Sequence, residues 1–445
     1  MFPDTKPQSN DYVFGIVEGS STYYPCTPAS PSPRRPVLIL IATRYELSKL
    51  CGIMLALVLM AAFPDLLLGQ ELKLTPGLSV SEEYNDNIFL TTSGKRDDFI
   101  TTLTPSLEIS SRTERRDAKL SGGINWLEYA HYSGNDAVDW FTNGAFGYKL
   151  SPRLDFSAGA GYLRNSRPDQ LDPTTGLSVN SGSGIQSYQT SGNYVLTERS
   201  KVSLSYGYYR EDFDQIVLGV GQNGMPIHQE LLGTRQHQAV GGFSYTLTPV
   251  LNLVEQVTYN RQLTDVSRVD NYSATIGLNR QFKEKWGFSM AAGGSYTHSD
   301  LNSTTTQTES SNNGGWVGNL SFTYQGEKLN SALSFNHNVN LAAGRTGSTE
   351  STGGSFTFGN RFTEEFSGSA NISYYYNKSN QGQYSVQTID ENILDAGLSL
   401  HYDFNKDVAV EANYHYLHYD YIESQTHLDQ NRVMLRLIVQ HMFFL

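Results

Sequence analysis

Few residues in this chain have the types and spacing to carry chemistry, and the sharpest set lies near the C-terminus: Asp395, Glu411, His415 and Arg436. Each sits on the polar parity of an alternating segment, and the three segments follow one another in the chain. Adjacent strands would bring a guanidinium, an imidazole and two carboxylates together near mid-height. Such chemistry is electrostatic, and it predicts a network around Arg436 that stiffens a wall or narrows a pore.

Catalytic sets are weaker. The His/Ser neighbours are His298-Ser299 and His131-Tyr132-Ser133. Both fall at loop entries, without an evident third group to orient the imidazole as an activated nucleophile requires. A surface lipid-modifying hydrolase is therefore the third-ranked reading. His401, His415 and His418 resemble a metal cluster only until strand geometry is applied, because positions 415 and 418 have opposite parity and point to opposite faces. The two cysteines, Cys26 and Cys51, both precede position 70, so the chain beyond it has no thiol nucleophile, disulfide or Cys-based metal site. No catalytic residue, metal or cofactor is expected.

The elements that must position these side chains follow a period of two. From Trp286, one parity reads Trp286, Phe288, Met290, Ala292, Gly294, Tyr296, and the other Gly287, Ser289, Ala291, Gly293, Ser295, Thr297. Phe366 to Asn377 and Trp316 to Gln325 repeat the scheme, and helical spacing fits these windows less well. Strands between oil and water alternate in this way. The pattern predicts an all-β fold over 71–445, a transmembrane antiparallel up-and-down β-barrel of about 18 strands (16–18), with short periplasmic turns and long extracellular loops. Eight tight polar connections, from Arg112–Arg116 to Asn405–Lys406, should alternate strictly with longer ones such as Asn165–Gly184, Asp212–Gly233 and His298–Gly314.

Aromatics mark the strand ends. Tyr84, Tyr129, Tyr162, Tyr208, Tyr259 and Tyr296 fall at one rim, and Tyr148, Tyr194, Tyr245, Phe282 and Tyr324 at the other, as expected of two interfacial girdles. The last strand places Val433, Leu435, Leu437, Val439 and Phe443 on one parity and stops at Phe443-Phe444-Leu445, a C-terminal insertion signal for the barrel-assembly machinery, with Leu where an aromatic is commoner. Two residues depart from the code. Glu255 falls on the apolar parity of its strand, which calls for a register-shifting bulge or a subunit contact. Pro105 removes a ladder donor, and a bulge is expected there too.

Composition agrees. The formal charge is −12, carried by the residues beyond position 70 (27 basic, 39 acidic), which argues against a nucleic-acid partner. No apolar run of about 20 residues occurs after position 70, so a helix-bundle membrane protein is excluded. Before it, Leu50 to Phe63 is an apolar stretch preceded by Arg44 and Lys49, the pattern of a secretory signal. The expected division is a disordered or mis-assigned extension over 1–45, a signal peptide over 46–70 with cleavage near Gly69 or Gln70, and the barrel over 71–445.

Glu82-Glu83-Tyr84-Asn85-Asp86-Asn87-Ile88-Phe89, closing a strand that opens with Leu74-Thr75-Pro76-Gly77-Leu78, resembles the N-terminal signature of bacterial outer-membrane β-barrel porins associated with exopolysaccharide biosynthesis and export loci. The resemblance implies a barrel of this size in the outer membrane, passing polysaccharide or acting as a general pore, with periplasmic export components as partners. It carries over no catalytic residue. Physically, Asn85, Asp86 and Asn87 suit a strand end, where short polar side chains bond local amides and begin the loop. The expected function is an outer-membrane channel for exopolysaccharide or small hydrophilic solutes. A non-transporting adhesin or scaffold for surface polymer is the alternative. Inward amides such as Asn279, Asn319, Asn336 and Asn371 would line the lumen, with loops Asn165–Gly184 and Asp212–Gly233 constricting its mouth. The oligomeric state is left open.

Overall fold

The computed structural model describes residues 72–172, 175–178, 181–214, 216–220, 226–229, 232–302, 308–342, 347–380, 383–385 and 388–444. The predicted leader segments, Gln70 and Leu445 lie outside the described residues. The barrel strands are β1 (Leu72–Asn85), β2 (Asp98–Arg112), β3 (Arg116–Tyr129), β4 (Ala137–Ser151), β5 (Leu154–Asn165), β6 (Ser183–Val195), β7 (Ser200–Phe213), β8 (Thr234–Thr248) and β9 (Leu251–Leu263). They continue as β10 (Ser267–Phe282), β11 (Trp286–Asn302), β12 (Thr308–Gln325), β13 (Leu329–Leu341), β14 (Ser348–Arg361), β15 (Phe366–Ser379), β16 (Ile389–Asp403), β17 (Val408–Tyr421) and β18 (Thr426–Gln440). Each pairs antiparallel with its sequence neighbours, and β1 closes on β18 from Gly77↔Gln440 to Asn85↔Arg432. No strand edge is left for hydrocarbon, which is the condition for crossing a bilayer in this form.

The seam shows how the closure tolerates a proline. β18 stops opposite Pro76, and Phe443 and Phe444 then rejoin β1 at Leu74 and Lys73 in the same register. Pro105 behaves alike: β2–β3 pairing lapses between Leu103↔Trp126 and Ser106↔Gly123 without a change of register. The bulge expected there is absent, because a missing donor opens the ladder without requiring an extra residue. Register shifts instead occur beside tight turns, at Lys149/Ser151 and Thr246/Thr248.

The exposed large side chains follow one parity: Leu78 and Val80 on β1, Trp126 on β3, Leu204 on β7, and Val433, Leu435, Leu437 and Val439 on β18. The opposite parity meets the loop that enters the barrel, so the greasy set faces outward. Aromatic pairs at strand ends, Tyr259–Tyr272 at 4.9 Å and Trp286–Tyr324 at 4.5 Å, belong to that outer surface. Tyr129 is an exception to the predicted girdle. It points inward and is buried with Ile88, Ile100 and Leu127 under the β1–β2 connection.

The alternation of loop lengths is not strict. One rim has only tight turns, and Thr113, Thr197, Thr363 and Asn405 accept backbone N–H bonds there. Lys283 and Glu284 turn with φ of 45° and 59°, the mirror-image turn that suits strand twist. The other rim carries the long connections, yet 264–266 and 422–425 are as short as turns; Thr264 Oγ1 against Ser267 Oγ (2.7 Å) closes the first. The Ser/Thr/Asn-rich stretch read as a loop from His298 to Gly314 is mostly strand, because β11 and β12 stay paired out to Asn302↔Thr308. Polar residues on both parities are the expected composition once a hairpin rises beyond the bilayer.

Candidate pore and its constriction

The connection between β5 and β6 runs into the barrel rather than over it. Its base is pinned to β4, where Asp139 accepts bonds from Ser166 N (2.9 Å) and Ser166 Oγ (2.6 Å). Gln170 Nε2 then donates to the carbonyls of Asn165, Arg167 and Ser181, each at 2.9 Å, holding both legs together. The far end reaches the opposite wall: Asn377 Nδ2 of β15 donates to Thr175 O at 2.7 Å, and Ser178 lies 3.3 Å from the Tyr421 hydroxyl.

An apolar anchor and a charged anchor hold it there. Leu177 is fully buried among Ile389, Ile393, Leu417, Tyr419 and Leu428, a small core inside the barrel mouth. Gly176 beside it has φ +71°, and a Cβ would lie 3.0 Å from the Tyr375 ring, so a side chain there would be both strained and crowded. The charged anchor centres on Asp169. Arg167 Nε and Nη2 each donate to it at 2.9 Å, and Nη2 also reaches Glu83 at 2.5 Å. Asn85 Nδ2 (2.9 Å) and Gln430 Nε2 (3.1 Å) complete the shell, with Arg432 at 3.6 Å. Burial alone would raise the Asp169 carboxyl, but the charge and hydrogen bonds of Arg167, aided by Arg432 and Gln430, hold it well below the usual carboxylate range. Burial would likewise lower the Arg167 guanidinium, and Asp169 and Glu83 hold it well above its ordinary value.

The predicted network around Arg436 divides in two. Arg436 Nη1 lies 3.6 Å from Glu411, which also meets His401 Nδ1 at 3.3 Å. His415 turns away from it: Nε2 is 2.6 Å from Asp395, and Nδ1 accepts from Arg432 Nη2 at 2.9 Å. Since a guanidinium only donates, the Arg432 contact assigns the His415 proton to Nε2. Arg432 thus links His415 and Asp395 to the buried Asp169 pair. Arg432, Asp169 and Arg167 were not singled out by the sequence, and Glu83 stood out only as part of the segment that closes β1. Arg432 shares the parity of Arg436, a usable signal, but nothing local marks Asp169 as its partner.

The first-loop motif closes the seam as well as ending β1. Asn85 Oδ1 accepts from Asn87 N (2.9 Å), and Asn87 Oδ1 from Thr91 N (3.0 Å). Asp86 accepts from Asn431 N (2.7 Å) and Nδ2 (2.8 Å) of β18, while Tyr84 faces outward against Phe99. At the other terminus, Phe443 is exposed on the outward parity, while Phe444, also exposed, lies on the opposite parity with Lys73, whose Nζ is 5.3 Å from the Phe444 ring.

His298 and Ser299 are on opposite faces, since the imidazole meets Asn312 and Asp300 on the outer side while Ser299 is fully buried. His131 does have an orienting carboxylate, Asp98 at 3.0 Å, contrary to expectation. Among the described residues no hydrogen bond joins it to Ser133, so no activated hydroxyl results. His415 and His418 point to opposite faces; His418 meets Asp429 at 2.6 Å and Asp420 at 3.3 Å outside.

Beside the inserted loop a cavity of about 610 Å³ runs along β3–β8, bounded by Asp172 of the loop and Asn340 of the far wall. Its inward surface is Ser121, Asn143, Gly159, Gly161, Gln189, Tyr209, Gln236 and Gln238, with Lys119 as its one cation. The inward parity of β8–β11 and β13 is Ser, Thr, Asn, Gln, Gly and a few small or aliphatic residues, without an ionisable group. The lumen is therefore two-sided: charges on the wall that holds the loop, neutral donors and acceptors on the wall left free.

The model of the family described as "Putative beta-barrel porin 2" matches residues 72–297. No curated protein matches the chain. Among solved structures, Acinetobacter baumannii OccAB4 is similar at 11% identity and TM-score 0.43, over 84% of this chain and 99% of that one. Acinetobacter baumannii OccAB1 is similar at 12% and 0.43 (84% and 97%), and Pseudomonas aeruginosa OccK3 (OpdO) at 11% and 0.40 (83% and 96%).

Proposed function

Because the chain belongs to this family of β-barrel porins and forms an outer-membrane channel, we propose that it passes small, uncharged hydroxylated solutes through the amide-lined cavity beside its docked loop. The carrying observation is the open cavity lined by Asn143, Gln189, Gln236 and Gln238 beside the docked loop. Amides both donate and accept, so they replace water around sugar hydroxyls without preference for charge. Export of a long exopolysaccharide is the less favoured form of this reading, because the described parts of the β5–β6 connection, 166–172, 175–178 and 181–182, lie within the mouth that a polymer would thread. Insertion by the barrel-assembly machinery through the Phe443-Phe444-Leu445 end, and the absence of enzymatic activity, belong to the same reading.

Liposome swelling with neutral sugars of increasing size tests it. Mono- and disaccharides should enter and long dextrins should not. Folded protein that gives neither swelling nor planar-bilayer conductance would overturn it in favour of a scaffold. That alternative has one observation behind it, the depth to which the loop packs inside the mouth.

A further inference from the structure

The wall that borders the open passage carries its charge in two bands. The cavity beside the docked loop follows β3–β8 and is bounded by Asp172. On the inward parity of this wall, β2 carries Asp98 and Arg112, β4 Asp139 and Lys149, and β7 Glu211 and Lys201. In each strand the carboxylate stands at the rim of long connections and the cation at the rim of tight turns. A strand rises about 3.3 Å per residue, so the two lie roughly 30 Å or more apart along it. Fields decay over about 10 Å at 0.1 M ionic strength, and each band therefore acts alone.

The upper band is acidic. Apart from the His131 ring beside Asp98, no basic group of β2–β7 joins Asp98, Asp139, Glu211 and the loop's Asp172 on the inward side, and Arg167 of the loop is taken by Glu83 and Asp169. The lower band is net basic. Lys149 and Lys201 are exposed and have no ion pair among the described residues; Lys119 meets Glu108 at 2.8 Å and Arg112 meets Asp117 at 3.5 Å. Asp155 lies opposite Lys149, and the three turns add Arg115, Arg153 and Arg199 against Glu114 and Glu198. Seven Lys and Arg thus stand with five carboxylates below, against four carboxylates above. The facing strands do not cancel this. The inward parity of β8–β11 and β13 has no ionisable group, and at the tight-turn end of β14–β18 the inward Arg361 and Arg436 balance Asp403 and Glu411.

We infer that the passage is bipolar and conducts charged solutes by direction, small anions entering from the periplasmic, tight-turn mouth and small cations from the mouth of long loops. Clustered Lys and Arg gather anions, and clustered Asp and Glu gather cations. With the outer side positive, each ion starts from the mouth that gathers it, and the passage fills with carriers. With the outer side negative, each must enter past a mouth that repels it, and the passage empties. Neutral solutes feel neither band, so charged passengers are added to the channel reading on which this rests.

Single-channel current–voltage curves in planar bilayers test it, with Cys26 and Cys51 replaced by serine and sidedness read afterwards from streptavidin binding to biotinylated Ser310→Cys. Current with the outer side positive should exceed that at the opposite sign by roughly twofold in 0.1 M KCl, as potentials of a few kT at each mouth imply. The ratio should fall to about one in 1 M KCl, where fields reach only about 3 Å. Lys149→Gln with Lys201→Gln removes the two unpaired cations and should lose most of the asymmetry, with folding checked by heat-modifiable migration. Equal currents in the wild type, asymmetry of the opposite sign, or asymmetry undiminished by high salt or in the folded double variant would each overturn the inference while leaving the channel reading in place. No current at either polarity would overturn both.

Discussion

Replacing Asp169 by Asn perturbs the charged anchor while keeping its shape. The side chain is 2% exposed and Arg167 19%, so the pair sits in a poorly solvated place where Coulomb terms are strong. Removing one member of a buried ion pair costs about 3–5 kcal/mol. Asn keeps an oxygen for Asn85 and Gln430, and Glu83 stays on Arg167, so the lower figure applies. The loss falls on the loop, whose docked state competes with release into the mouth, and not on the strand ladders. About 3 kcal/mol moves that equilibrium by roughly two decades. Single-channel recording in planar bilayers reads it: Asp169→Asn should raise mean conductance and add millisecond-scale fluctuations, with the thermal stability of the barrel unchanged. Leu177→Ala removes the apolar anchor, at about 2–5 kcal/mol, and should give the same phenotype by a different contact. Traces of Asp169→Asn indistinguishable from wild type in level and noise would refute the assignment of the loop as the constriction.

Four further outcomes follow from the same contacts. Asp169 has a depressed folded pKa, so its contribution to docking is complete above an ordinary carboxylate pKa of about 4 and is lost as pH falls toward the folded value; conductance noise should be flat from neutral pH to about 5 and rise only in stronger acid, and a rise on the alkaline side would contradict this. Gly176→Val places a branched side chain at φ +71° against Tyr375 and Ile393, and should undock the loop as Asp169→Asn does, read as increased protease access to 166–182. Glu411→Gln weakens two partly solvated contacts, with Arg436 at 3.6 Å and with His401 at 3.3 Å, and should change stability by about 0–1 kcal/mol and leave conductance fluctuations alone. The inward side of β1–β7 and β16–β18 carries more carboxylates than ammonium or guanidinium groups, so reversal potentials in a salt gradient should show mild cation preference that fades as ionic strength screens it.

Period-two patterning made the barrel legible because each strand residue sees one of two solvents, and that constraint is local. Positions such as Val433 and Leu435 announce lipid whatever lies across the lumen, and the seam could be read from where the pattern starts and stops. Loop lengths were less legible: Thr264–Ser267 closes a three-residue turn on the rim of long connections, and polar hairpins above the bilayer look like loops when only composition is read. The constriction was hardest to see. Asp169 meets Asn85 across 84 positions and Gln430 across 261, and Leu177 is buried by residues from three strands more than 200 positions downstream. Those strand residues do carry a trace of it. Ile389, Ile393, Leu417 and Leu428 are aliphatic on the inward parity, where an open aqueous channel would place polar groups. Read as violations clustered on β16–β18, they mark a dry patch in the lumen that something must cover. A connection that covers it must be long enough to reach across and must include both a buried-type leucine and a charge pair. The 166–182 segment, with Leu177 beside Arg167 and Asp169, meets that requirement, so the constriction was encoded as a matched pair of local anomalies rather than as a motif.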